Sequence, residues 1–571
     1  MSLRRASYRV LMSLCVSMCL TAAAFAGQTQ GGALGKIDFP TSASRAAQEH
    51  FLRGVAALHS FWYEEALEAF QAATKLEPDF ALGYWGEAMA HNHPLWNEQD
   101  ADAARKALAK IRDTAKLTPR ESAYVNAVKA LYGEGDKHAR NLAYAAAMEK
   151  VYKDYPADLE AASFYALSLL GAARPTDKGY RLQAQAGAIA LDVYAKNPNH
   201  PGAAHYIIHA FDDPEHAILA LPAARRYAEI AADAHHARHM PSHIFIQLGM
   251  WPEAAASNES SWATSDAWVK RKIYSIERRD YHSLSWLEYV YLQQGRIREA
   301  EAQLALMQRS IAELGAPIRG SAYIYAVFIA ETGRWELIDK LFPEPSAKTA
   351  ALPAQKEVGA DSCHVAATTR AALKIMPATL TAQQSPRPTT GQLYGKYLRG
   401  LAASAAKNTA LADKYVADIR ALGQEFGKAG VYSFSPDMVE VMALEVAALA
   451  RANAGKFEEA IELLRRATVL EESLRPPSGP PDMLKPSHEL FGDVLLSAGR
   501  PEEAAAQFQT ALLRQPNRPR SLLGLARAAK STDAKLAARA YADYLRTQER
   551  ADAQAAELAE ARDYLKRASA R

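Results

Sequence analysis

At 571 residues, with 67 basic and 64 acidic side chains and a formal net charge of +3, the chain is too long to fold around one ordinary hydrophobic core. No long run of either sign occurs, so composition gives no ground for expecting nucleic acid or an anionic surface as a partner. Alanine, leucine, glutamate, lysine and arginine dominate and period-two β-branched runs are scarce, which points to an all-α chain that grows by adding units.

The first 26 residues stand apart. Arg4, Arg5 and Arg9 precede an apolar stretch from Val10 to Leu20, and Ala24-Phe25-Ala26 before Gly27 has the small-x-small form of a cleavage site. This reads as a secretory signal peptide, since the apolar stretch is well short of the roughly 20 residues that span a bilayer. The mature chain is therefore expected to be periplasmic or secreted, with no transmembrane segment. Cleavage would remove Cys15 and Cys19 and leave Cys363, beside His364, as the remaining cysteine. No internal disulfide is then possible, and such a cysteine is more often a small buried hydrophobe than a metal ligand.

After an N-terminal segment (27–46), Ala47 to Phe80 forms one complete two-helix unit: an apolar-periodic helix, a turn, Tyr63-Glu64-Glu65-Ala66 opening a second helix, and Pro78 ending it. Two crossing helices leave limited volume, which explains the small and aromatic positions, and the terminal proline stops the second helix. A Gly-x-aromatic-x-x-Ala turn recurs at Gly249 to Ala254 and Gly455 to Ala460, more loosely at Gly295, Gly333 and Gly499, and Pro156, Pro198 and Pro516 repeat the role of Pro78. These features predict an N-terminal array over 47–342 with histidine-rich repeats at 199–290, an insertion at 343–390, a second array over 391–532, and a terminal capping helix over 533–571. Pro476 to Pro486 forms a further proline-rich break before a fresh repeat.

The period of 34 residues and the Ala47–Phe80 pattern resemble the tetratricopeptide repeat (TPR). That resemblance implies an all-α, TPR-like α-solenoid, a right-handed superhelix of antiparallel helix pairs whose concave groove commonly binds a peptide or protein. The Asn199–Tyr206 block (Asn-His-Pro-Gly-Ala-Ala-His-Tyr) and the His239–Ile244 block (His-Met-Pro-Ser-His-Ile) resemble a group of exported bacterial TPR proteins. Fold alone implies no chemistry.

Chemistry is suggested by the histidines. Of 16 in the chain, nine lie between His200 and His282. His205 and His209 are four apart on a helix expected to begin near Pro201, so their rings share one face. His239 and His243 repeat that spacing, and both members are offset by the 34-residue period from their counterparts. Neighbouring helices pack roughly 8–10 Å apart, so four imidazoles are expected to converge on one transition-metal ion, zinc or copper. His282 is a fifth candidate ligand. His216, His235 and His236 are candidates for further ligands or for substrate contacts, and Asp212, Asp213 and Glu259 are the carboxylates placed to orient a ring or act as a base. The competing possibility is that the histidines are polar spacers bonding across repeats. Pro241 adds a complication: a helix starting there would put His239 in the preceding turn.

The chain carries no H-E-x-x-H, P-loop, Gly-x-Gly-x-x-Gly, Gly-x-Ser-x-Gly or C-x-x-C-H motif. Two functions are therefore expected: a binding superhelix for a peptide, protein or small molecule with a histidine-held metal, or a metal-dependent hydrolase or oxidoreductase on the same scaffold.

Overall fold

The computed structural model describes residues 33–344 and 388–570, apart from 97, 113–115, 175–176, 178, 430–433, 482 and 553–555. The signal segment, Cys363 and most of the 343–390 insertion lie outside the described residues. The rest is a run of antiparallel helix pairs, with one two-stranded ribbon, Asn92–His93 against Glu98–Gln99. Among the described residues no helix is long and apolar enough to cross a membrane.

The first pair shows how the sequence dictates packing. Helix Arg45–His59 is capped by the Ser44 hydroxyl, and helix Tyr63–Leu76 ends two residues before Pro78. The fully buried Phe70 sits between two helices that each offer a glycine. A Cβ at Gly54 would lie 2.6 Å from the ring, and one at Gly86 2.3 Å from it. Phe508 repeats the lock between Gly492 (2.6 Å) and Gly524 (2.3 Å), with the same spacing of 16 residues on either side. Gly86→Ala gains up to about 1 kcal/mol of helix propensity. The Phe70 ring cannot retreat because Gly54 already touches it, so overpacking of about 1–3 kcal/mol wins. We expect a lower urea midpoint for Gly86→Ala, recovered in part by adding Phe70→Leu.

The turn glycines are equally local in origin. Gly249, at φ +63°, reverses the chain between helices Pro241–Gln247 and Trp251–Lys272, a left-handed conformation that costs a residue with a Cβ about 1–2 kcal/mol. Gly295, Gly333, Gly455 and Gly499 also have positive φ.

The last repeats fold back onto the middle of the molecule. Trp251 Nε1 donates to the Asn517 carbonyl at 2.9 Å, and a Cβ at Gly249 would strike the Pro516 carbonyl oxygen at 2.3 Å. The 533–571 segment is two helices, Ala534–Thr547 and Ala556–Ser569, where one was expected. The turn between them docks on the middle repeats: Gln548 Nε2 donates to the Gln293 carbonyl at 2.8 Å and the Asp552 amide to the Gly295 carbonyl at 3.0 Å. At the centre of this closure Arg518 is fully buried, with Nε 2.8 Å from Glu489 and Nη2 2.7 Å from Glu331.

Candidate metal centre

Three consecutive pairs supply the histidines from their first helices. In helix Pro201–Ala210 the His200 ring is the N-cap: its Nδ1 accepts from the Ala203 amide at 3.1 Å, while Pro201 fills the first position, where no donor is needed. The second helix is interrupted but not displaced. His235–His239 passes through Met240, at φ −52° and ψ −37°, directly into Pro241–Gln247. Pro241 removes one amide while the path stays right-handed, so His239 and His243 keep a common face. The third is Tyr281–Gln293, capped by Asp280.

The expected four-ring centre resolves into two sets of three: His205, His209 and His236, and His239, His243 and His282. Within each set the ligand atoms lie within 4.8 Å of one another. Each set takes an i, i+4 pair from one first helix and a single ring from the next. The second set is therefore the first carried forward by one repeat. The two i, i+4 pairs do not close on one point in the gap between their helices; each meets a single ring from the next first helix instead. The sets remain adjacent: the His209 and His243 rings are 5.8 Å apart, and His236 and His239 6.0 Å.

The groups behind the rings decide their tautomers. His205 Nδ1–H donates to the His59 carbonyl at 2.7 Å. His243 Nδ1–H donates to Asp212 at 2.6 Å, and Asp212 also accepts from Gln247 at 3.3 Å. The Asn258 amide is oriented by donation from its Nδ2 to the Ala254 carbonyl at 2.9 Å, so its oxygen faces His239 Nδ1 at 2.7 Å and that nitrogen carries the hydrogen. Three rings thus present Nε2 lone pairs. The His239 and His243 Nε2 atoms face each other at 3.2 Å, and His205 Nε2 lies 3.0 Å from His209 Nε2. Between His239 and His243 both facing atoms carry lone pairs, which cannot hydrogen-bond to each other; a cation between them relieves the contact. Burial lowers the affinity of His205, His236 and His239 for protons, which keeps these rings neutral and available as ligands. The His236 Nε2 is buried without a hydrogen-bond partner.

Each set has its own aromatic wall. Phe61 packs on His205, His209 and His236 at ring distances of 4.3, 5.7 and 5.7 Å. Its φ is +51°, an uncommon conformation for a bulky residue, held directly over the first set. Trp286 packs on His239, His243 and His282 at 4.7, 4.4 and 4.9 Å. The proline-rich segment crosses behind it: Gly479 lies where a Cβ would meet the Trp286 ring at 2.2 Å, and the Pro477 carbonyl accepts from Gln247 at 2.6 Å.

Of the residues expected to support the rings, Asp212 does so. Asp213 does not, because its carboxylate is occupied by the amides of Glu215 and His216 and by the His216 ring in the following turn. Glu259 accepts from Tyr291 and pairs with Arg296 instead. His235 lies against Trp62 and Trp268 with Nδ1 3.5 Å from Asp280, while His236, expected as a further ligand or a substrate contact, completes the first set. Its signal was the His-x-x-His spacing to His239, one turn earlier.

A third group, His59, Glu160 and His200, was not expected. Its atoms are already bonded to one another: His59 Nε2 to Glu160 at 2.7 Å, His200 Nε2 to Glu160 at 3.2 Å, and His59 Nδ1 to the Tyr206 hydroxyl at 2.8 Å. Burial would raise the Glu160 carboxyl, but the two rings outweigh it and lower it. This triad braces His59, whose carbonyl orients His205. Gly202 makes room for it, since a Cβ there would sit 2.5 Å from His59 Nδ1.

Stacked helix pairs of this kind define an α-solenoid of the tetratricopeptide type. Residues 47–80 match the tetratricopeptide repeat family. No curated protein matches it. Among solved structures it is similar to yeast Tom70, at 10% identity and a TM-score of 0.22, covering 92% of this chain and 89% of that one. It is also similar to the human IFIT1 dimer with m7Gppp-AAAA, at 14% identity and a TM-score of 0.30, covering 93% and 91%. Likeness at this level carries no argument about function.

Proposed function

We propose that this protein is an exported TPR superhelix that holds transition-metal ions, zinc or copper, in its three-histidine sets and offers them to a peptide, protein or small-molecule ligand. The observation that carries this reading is the pair of Nε2 lone pairs on His239 and His243, aimed at each other across 3.2 Å with both Nδ1 atoms tied off behind them. Ligation by imidazole without carboxylates suits zinc or copper and disfavours magnesium or calcium. A metal-dependent hydrolase or oxidoreductase is the second reading. It is favoured by the count of three nitrogens per set, which leaves a fourth position for water or substrate.

Elemental analysis of protein purified without a histidine tag, beside a His205→Ala/His239→Ala variant, tests the proposal. Stoichiometric metal in the wild type and its loss from a variant that keeps its helical circular dichroism is the expected result. The competing arrangement is an imidazolium at His243 paired with Asp212. Metal-free wild-type protein that also takes up neither zinc nor copper on dialysis would discard the metal.

A further inference from the structure

Resting on that metal reading, we infer that the two histidine sets act together as one dinuclear copper centre whose ions share a small bridging anion. The sets are consecutive copies of one arrangement, and their facing rings are 5.8 and 6.0 Å apart between centroids. A metal lies about 2 Å beyond a coordinating nitrogen, so ions on facing rings come within the span of one small ligand; two-metal sites of this kind typically hold their ions about 3.5–4 Å apart. An aromatic ring lies against each set, Phe61 on the first and Trp286 on the second. The first set is not sealed, because His209 is only half-buried, and this leaves a way in for a small anion.

Charge selects the metal and the ligand. Six neutral imidazoles offer two ions no compensation, and uncompensated buried charge is costly. Two carboxylates lie near the sets, Asp212 bonded to the His243 ring at 2.6 Å and Asp280 3.5 Å from His235, which belongs to neither set. Two monovalent cuprous ions match those two negative charges. Two divalent ions leave an excess that a bridging hydroxide or azide would reduce, in the position each three-nitrogen set leaves open. A redox-inert divalent ion such as zinc has only that second state; copper has both.

The test uses the full-length protein, stripped of metal and loaded with copper(II), with copper content and electron paramagnetic resonance measured on the same sample. We expect two coppers per chain and a signal well below that of two independent ions, because ions sharing one bridge couple magnetically. His236→Gln and His282→Gln, each removing one ligand from one set, should each keep one copper and regain the full signal of a single uncoupled ion. Two coppers giving twice the single-ion signal in the wild type would overturn the inference by showing separate sites. One copper per chain would overturn it in favour of a single centre and leave the metal reading standing. No copper at all would overturn it too, and zinc uptake on dialysis then decides whether the metal reading stands. The wild-type measurement decides among these outcomes even if a variant misfolds.

Discussion

Arg518→Met is expected to destabilise the protein by about 3–5 kcal/mol, a large part of the roughly 5–15 kcal/mol that holds a folded domain together. The loss does not come from missing volume, since methionine fills much of the same space. It comes from leaving Glu489 and Glu331 buried without the guanidinium that lies 2.8 and 2.7 Å from them. Burial alone would raise the Glu331 carboxyl; Arg518, helped by Lys485 and Arg520, overrides that and holds it at about 2. In the wild type the stabilisation by this depressed group is therefore present at neutral pH. It is lost only as pH falls below the ordinary glutamate range toward about 2. In the variant both buried carboxylates lose the guanidinium and keep only weaker partners, Arg520 for Glu331 and the Ser521 hydroxyl for Glu489, so protonating them relieves the strain and stability rises as pH falls toward 4.5. The gap in urea midpoint between wild type and variant should narrow on acidification from neutral pH. Adding Glu331→Gln and Glu489→Gln should recover most of it at neutral pH. A variant whose deficit stays constant over that range would show that packing, not charge, is what Arg518 supplies.

Asp212→Ala is expected to weaken metal binding by about 10–100-fold while leaving the helices intact. The Asp212 carboxylate accepts the His243 Nδ1–H at 2.6 Å, which selects the tautomer that points Nε2 at His239 and makes that nitrogen a better donor to a metal. Without it the imidazole is free to rotate or to carry its proton on the wrong nitrogen. Asp213→Ala is the matched control: one residue away and also an aspartate, it serves the turn to His216, so it should alter stability slightly and affinity not at all. Titration of both variants against a chromogenic chelator separates the cases. Equal losses in the two would mean that local charge, not the orientation of His243, sets the affinity.

Much of this molecule is legible in one dimension because the forces concerned are local. The left-handed turns at Gly249, Gly295, Gly455 and Gly499 leave a glycine wherever the backbone demands one. A helix puts His205 beside His209, and His239 beside His243, whatever surrounds it. The 34-residue offset between the two pairs, likewise visible in the sequence, places them on successive first helices and so sets the repeat relation of the two sets. The proline at 241 is where local reasoning misleads: it interrupts the hydrogen-bond ladder, but packing keeps the helical path and the ring pair survives.

What spacing could not decide is everything that depends on how successive repeats rotate against one another. That rotation accumulates along the solenoid and is set by packing volumes and loop lengths, not by any residue's own preference. It chooses Asp212 over its neighbour Asp213, brings His236 to the His205–His209 pair, and swings Phe61 in from about 140 residues away. It also carries the chain around until Gly479 meets Trp286 and Arg518 meets Glu331. The sequence by itself therefore determined the helices, their pairing and the paired imidazoles. Tertiary structure alone decided that these rings divide into two adjacent sets of three, because a third nitrogen within coordinating reach has to come from a different helix.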